Sequence, residues 1–150
     1  MSKYDYFVAG RWRNRDAINT VVKQLRDTGK RVYCFIDNSY NGDGISIDSS
    51  LESDTEAAIF ATENLSDWQF NPTFRKIFEA DMQAGRNADA FILVFPAGLS
   101  AHMELGVAYG MGKPCFGIGK IEKTEPLYFM FNEIYPIIDE FINAKVRQPV

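Results

Sequence analysis

One histidine, His102, and two cysteines, Cys34 and Cys115, are all the imidazole and thiol groups that 150 residues hold. The cysteines lie far apart inside apolar runs, so neither a disulfide framework nor a CxxC metal knuckle is present. A lone histidine does not make a metal site. Basic residues are also scarce, 16 Lys and Arg against 20 Asp and Glu for a net charge of −4. A polynucleotide binder needs a basic stripe spanning several phosphates. The arginines that gather here are Arg11, Arg13 and Arg15, a group sized for one small anion. No apolar run approaches the ~20 residues that cross a bilayer. Repeats, low-complexity tracts and linker-like stretches are missing as well. Met1-Ser2-Lys3-Tyr4-Asp5 runs directly into a charged, strand-like segment without a signal-peptide pattern, so a cytoplasmic protein is expected.

What the chain does have is core material. Hydrophobic residues make up 46% and aromatics 14%, which argues against disorder and suits one domain over residues 1–150. Tyr4–Ala9 alternates as a strand ending at Gly10. Asn14–Thr28 carries Ala17, Ile18, Val21, Val22 and Leu25 at helical spacing, with Gly29 as a left-handed stop. Arg31–Ile36 reads as a strand, Asp37–Ser50 as a polar loop, Glu52–Leu65 and Asn71–Gly85 as helices. Asp89–Phe95 (DAFILVF) is a nearly unbroken apolar strand of the kind buried on both faces of a parallel sheet. Ser100–Met111 is a helix stopped by Gly112, and Pro114–Ile118 a strand. Pro126–Phe131 reads as a short helix, Glu133–Ile137 as a last strand and Ile138–Val146 as a terminal helix. Alternating strands and helices predict an α/β, three-layer Rossmann-like domain with a parallel sheet of about five strands. Ligands bind such sheets beyond the carboxyl ends of the strands, near the switch in strand order. That directs attention to Gly10–Arg15, the loop after Ile36, and Pro96–Glu104.

Three groups of residues there can carry chemistry. Ser100 is placed to cap the helix that contains Glu104, and Glu104 then closes its first turn, where the helix dipole favours an ionised carboxylate. Glu104 could serve only that dipole, or could react. Asp81 falls within the apolar stripe of Phe74, Ile77, Phe78 and Met82. A carboxylate on a core-facing stripe needs a partner, such as Arg75 or Arg86, or a task. Two carboxylates near strand ends could act as nucleophile and general acid. Gly10 lets a ligand approach the backbone, and Arg11 and Arg13 could clamp a phosphate, or simply form a solvated helix entry. The pattern is not GxGxxG, so a dinucleotide fingerprint is not supported. Asp37–Asp48 half resembles a calcium loop but lacks the terminal glutamate and the entering helix; a turn-rich substrate lid is the better reading.

Tyr6-Phe-Val-Ala-Gly10, Asp81, Ala88-Asp89, Glu104-Leu-Gly106 and Gly112-Lys-Pro114, in that order over residues 4 to 118, resemble the nucleoside 2-deoxyribosyltransferase superfamily. That superfamily includes the 2'-deoxynucleoside 5'-monophosphate N-glycosidases and the CMP hydrolases. The resemblance implies a flavodoxin-like sheet in the order 2-1-3-4-5, a homodimer or larger homo-oligomer, a nucleoside or nucleotide as substrate, and no cofactor. It implies Glu104 as the nucleophile at the anomeric carbon and Asp81 as the proton donor to the base. A first-strand tyrosine would hydrogen-bond the nucleophile, which is Tyr6 in one alignment, while another puts Phe7 there. Ser100 lies where helix amides would hold a 5'-phosphate or a sugar hydroxyl. His102 would either touch substrate or sit exposed in the first turn. The transferases commonly carry an aspartate six residues before the glutamate, where this chain has Gly98. The expected activity is therefore cleavage or transfer at an N-glycosidic bond. A nucleotide-binding sensor without turnover and an NAD glycohydrolase are the alternatives.

Overall fold

The computed structural model describes residues 2–37 and 61–147. Five parallel strands form one sheet: β1 (Tyr4–Ala9), β2 (Val32–Cys34), β3 (Ala88–Val94), β4 (Cys115–Ile118) and β5 (Glu133–Tyr135). Their spatial order is β2-β1-β3-β4-β5. The long apolar strand is central: β3 pairs with β1 through Phe7↔Phe91 and Ala9↔Leu93, and with β4 through Phe91↔Cys115 and Val94↔Ile118. Ala90, Ile92 and Val94 on one face are buried, as are Phe91 and Leu93 on the other. This is the burial that an unbroken apolar run predicts.

Right-handed crossovers then distribute the helices. From β1 to β2 the chain steps one way across the sheet, and from β3 to β4 it steps the other way, so the connecting helices lie on opposite faces. Helix α1 (Arg15–Asp27) buries Ile18, Val21, Val22 and Leu25. Helix α2 spans Pro72–Arg86 and helix α3 spans Leu99–Gly110. Ala84 at the end of α2 and Ala101, Leu105 and Ala108 of α3 share one apolar cluster with Phe7, Phe91, Leu93 and Phe95. After β5 a short helix α4 (Ile138–Phe141) widens into a π-helical turn, Ile142–Val146. Its Phe141 meets Tyr6, Phe116 and Tyr135, which places it on the face away from Phe7. The result is an α/β fold of flavodoxin-like, three-layer form.

By internal contacts the chain forms two compact units, residues 1–35 with 84–150, and residues 36–83. In the second unit, Asn71 caps α2 by accepting from the backbone N–H groups of Thr73 and Phe74 at 2.9 and 3.0 Å. Residues 61–63 are helical, in keeping with the tail of the expected helix. Residues 38–60, with most of the expected loop, the calcium-like pattern and the start of that helix, lie outside the described residues.

Several boundaries shift. The second strand is three residues long rather than six, because β2 is an edge strand whose pairing ends at Val8↔Cys34. The chain then turns into a 3-10 helix, Phe35–Asp37, and Phe35 packs against Trp12. Helix α1 starts at Arg15, preceded by a 3-10 turn at Trp12–Asn14. Gly29 and Gly112 do end their helices with positive φ, 85° and 77°, and the next residues donate back to Leu25 and Ala108. Among the described residues no helix is long and apolar enough to cross a membrane.

Two buried groups make the core sensitive to alkali. Burial pushes the Cys115 thiol from 9.0 up to about 11. Burial, with Glu133 adding to it, pushes the Tyr135 phenol from 10.0 up to about 12. Above pH 9 the unfolded chain loses protons that the folded chain keeps, so stability falls as pH rises. Denaturant titrations should give a folding free energy that declines from pH 9 toward pH 11, and Cys115→Ala should flatten the first part of the decline. An unchanged profile in that variant would contradict the assignment.

Candidate active site

In the order β2-β1-β3-β4-β5 the direction of winding reverses between β1 and β3. The crevice beyond their carboxyl ends is where such sheets hold ligands. Two connections meet there. One runs from Gly10 to Asn14 after β1, the other from Phe95 to Gly98 after β3. Asn14 ties them together, donating from Nδ2 to the carbonyls of Phe95 at 3.2 Å and Pro96 at 3.5 Å. A Cβ placed on Gly98 would stand 3.7 Å from Arg11 Cβ. The arginine loop and the start of the helix that carries Glu104 are thus immediate neighbours.

Within α3, Glu104 lies three residues after buried Ala101 and four before buried Ala108, so it shares their sheet-facing side and is half-buried. Its place in the helix differs from the expected one. Leu99 is the first helical residue and Gly98 the N-cap, with no side chain bonding the free amides. Ser100 is therefore an exposed residue inside the first turn rather than its cap, and Glu104 falls in the second turn. The helix dipole acts chiefly within the first turn, so it does not account for Glu104. Glycine can cap without a side chain, which makes such a boundary hard to see from residue types.

Asp81 is half-buried on α2, with Phe74, Ile77 and Met82 also half-buried, while Phe78 is 54% exposed. The stripe is thus shallower than its spacing suggests. Asp81 belongs to the unit of residues 36–83, Glu104 to the other. Arg75 reaches toward Glu79, at 3.7 Å.

Tyr6 and Phe7 are separated by the sheet. Phe7 belongs to the cluster containing Leu105 and Ala101 of α3, whereas Tyr6 packs edge-on against Phe141 with centroids 5.6 Å apart. Burial, with Asp5 and Asp89 nearby, holds the Tyr6 hydroxyl above the ordinary phenol range. On the face covered by α3, the residue of this pair is Phe7.

Arg11 and Arg13 are exposed in the loop after β1. Arg15 turns back, donating to the Trp12 carbonyl at 3.3 Å with its guanidinium 5.6 Å from the indole centroid. His102 is half-buried, not exposed. Its Nδ1 lies 2.8 Å from the Gly98 carbonyl and its Nε2 lies 2.9 Å from the Tyr128 hydroxyl. Tyr128 sits in a 3-10 helix, Pro126–Met130, capped by Glu125, whose side chain accepts from the Leu127 amide. Neither Asn14 nor Tyr128 stands out in the sequence. Asn14 reads as a helix entry, and Tyr128 is 26 residues from its partner, too far for any local pattern. Among the described residues no three His, Cys, Asp or Glu side chains gather closely enough to hold a metal ion.

No protein-family model matches the chain, and no curated protein is similar enough in sequence to match it. The fold does have a counterpart. A 2-deoxyribosyltransferase from the psychrotolerant bacterium Bacillus psychrosaccharolyticus superposes with a TM-score of 0.59 at 17% identity, covering 92% of this chain and 90% of that one. The likeness is one of fold: the α/β architecture is shared along nearly the whole of both chains.

Gly10 serves packing first. A Cβ there would lie 2.6 Å from Ile18 Cδ1 and 3.4 Å from the Val94 carbonyl oxygen, so the fully buried Ile18 side chain would have to shift within the core. Gly10→Ala should destabilise the protein, measured without ligand, by about 1–3 kcal/mol in denaturant unfolding, the usual cost of overpacking. Unaltered stability would mean that the glycine is there for a ligand instead.

Proposed function

We propose that this protein cleaves or transfers at the N-glycosidic bond of a (deoxy)nucleoside or nucleoside 5'-monophosphate. The observation that carries the reading is the meeting of the arginine loop with the start of the Glu104 helix at the sheet's switch point, within a fold shared with a 2-deoxyribosyltransferase. In this reading a carboxylate oxygen of Glu104 attacks the anomeric carbon. The C–N bond breaks, its electron pair stays on the base nitrogen, and Asp81 in its protonated form supplies the base with a proton. Water or a second base then attacks the same carbon, giving its proton back to the Asp81 carboxylate, and releases Glu104 as carboxylate, as in retaining glycosidases. Arg11 and Arg13 hold the 5'-phosphate, with Ser100 beside them. Gly98 stands where the transferases place an acid, which favours a substrate carrying its own negative charge next to Arg11. Chemistry of this kind needs no cofactor.

The reading also includes a homo-oligomer, acting in the cytoplasm as one domain. Helix α3 supports the assembly. Leu99, Met103 and Val107, at successive turns, are 76%, 57% and 37% exposed although the opposite side is packed in the core. An apolar stripe running over three successive turns on a helix face turned away from the core suits the surface of a second copy.

Incubation with a panel of (deoxy)nucleosides, their 5'-monophosphates and NAD tests the proposal. Free base without acceptor indicates hydrolysis, and exchange that requires an acceptor indicates transfer. Glu104→Gln should lower base release by at least about 10³-fold, in line with loss of a nucleophile. Arg11→Ala should raise KM for the monophosphate about tenfold, roughly one charge-assisted hydrogen bond, and leave the nucleoside's KM alone. Full turnover by Glu104→Gln would sink the assignment. Thermal stabilisation by a nucleotide with no turnover of any panel member would replace the enzyme with a binding module.

A further inference from the structure

Tyr128 has no part in the proposed mechanism, and His102 stands out in the sequence only as a neighbour of Glu104. The structure joins the two. A carbonyl oxygen only accepts, so the ring nitrogen 2.8 Å from Gly98 O must carry hydrogen, and the neutral imidazole is then the Nδ1–H tautomer. That leaves a lone pair on Nε2, which the Tyr128 hydroxyl at 2.9 Å satisfies by donating. The two rings lie nearly parallel, 20° apart with centroids separated by 5.8 Å, and Phe95 packs edge-on against both. Phe131 buttresses Phe95 and Tyr128 from a third side. Both ring nitrogens of His102 are thus engaged and its plane is held by packing.

The other end of this chain of bonds is Gly98, the N-cap of α3 and the residue that faces Arg11. No side chain caps that helix start. The Gly98 carbonyl accepts the His102 amide at 3.3 Å, longer than its 2.8 Å bond from the ring. The ring bond therefore does most to hold it.

We propose that His102 is a positioning residue: with Tyr128 it latches the first turn of α3 to the 3-10 helix Pro126–Met130, and so fixes the Gly98 rim of the cleft opposite Arg11 for the substrate's anionic group. This rests on the proposed function of the cleft. The latch acts through Gly98 rather than on the reacting atoms, so its loss falls on substrate binding and not on the chemical step.

Because His102 is the only histidine, its ring nitrogens can be observed alone by long-range 1H–15N NMR of the whole protein. The neutral ring should show the Nδ1–H tautomer, and an Nε2–H tautomer overturns the proposal. In turnover of the nucleoside 5'-monophosphate, His102→Phe keeps the stacking and loses both bonds. It should raise KM about three- to tenfold, as expected for one or two neutral hydrogen bonds, with kcat within about twofold. Tyr128→Phe should raise KM less. His102→Asn, which retains a donor near Nδ1, should recover most of the loss. The double variant should be no worse than His102→Phe alone, because both changes break one chain of bonds. Additive effects, or a fall in kcat with KM unchanged, overturn the proposal. A wild-type protein inert toward the whole panel would instead defeat the functional reading. The tautomer, and faster amide exchange at residues 98–103 in Tyr128→Phe, would then decide the latch alone.

Discussion

Everything in this fold is arranged around the burial of β3. A strand whose successive side chains are apolar on both faces cannot leave either face in water, so helices must cover both. With β1 on one side of it and β4 on the other, the chain has to wind outward in two directions, and right-handed crossovers put α1 and α3 on opposite faces. The reversal creates a crevice beyond the ends of β1 and β3, and the segments leaving those two strands become the walls of a cleft. One wall is the arginine loop after β1, and the other is the Glu104 helix after β3.

Two glycines sit where these segments come close to their neighbours. Gly10 lets α1 close against the end of β1, since a side chain would strike Ile18. Gly98 leaves the mouth of α3 without a side chain just where Arg11 approaches. Asn14 holds the two loops at a fixed spacing through the carbonyls of Phe95 and Pro96. The arginines are therefore carried on a braced loop, not a free one, and a braced cation loses less entropy on binding an anion.

Long-period features are legible in the sequence and short-range geometry is not. The apolar run of β3, the spacing of Ile18, Val21, Val22 and Leu25, and the glycine stops at Gly29 and Gly112 all translate directly into elements, because each is a local consequence of burial or backbone sterics. The cap of helix α3 lies two residues earlier than expected, because Ser100 is the better capping residue by type, whereas Gly98 takes the cap with no side chain at all. That shift moves Glu104 out of the dipole's reach. The faces of Tyr6 and Phe7 depend on which side of the sheet α3 covers, a tertiary fact that an alternating strand pattern leaves open. The His102–Tyr128 contact spans 26 residues and has no local signature. Asp81 is recognisable as a carboxylate on an apolar stripe, and it is half-buried there.

The proposed reaction passes through a covalent bond between Glu104 and the sugar. Intact-protein mass spectrometry on acid-quenched turnover mixtures tests it most directly. The expected result is an added mass equal to the glycosyl unit of the substrate, mapped by peptide analysis to Glu104. Base release with no adduct, or an adduct on any other residue, would contradict it.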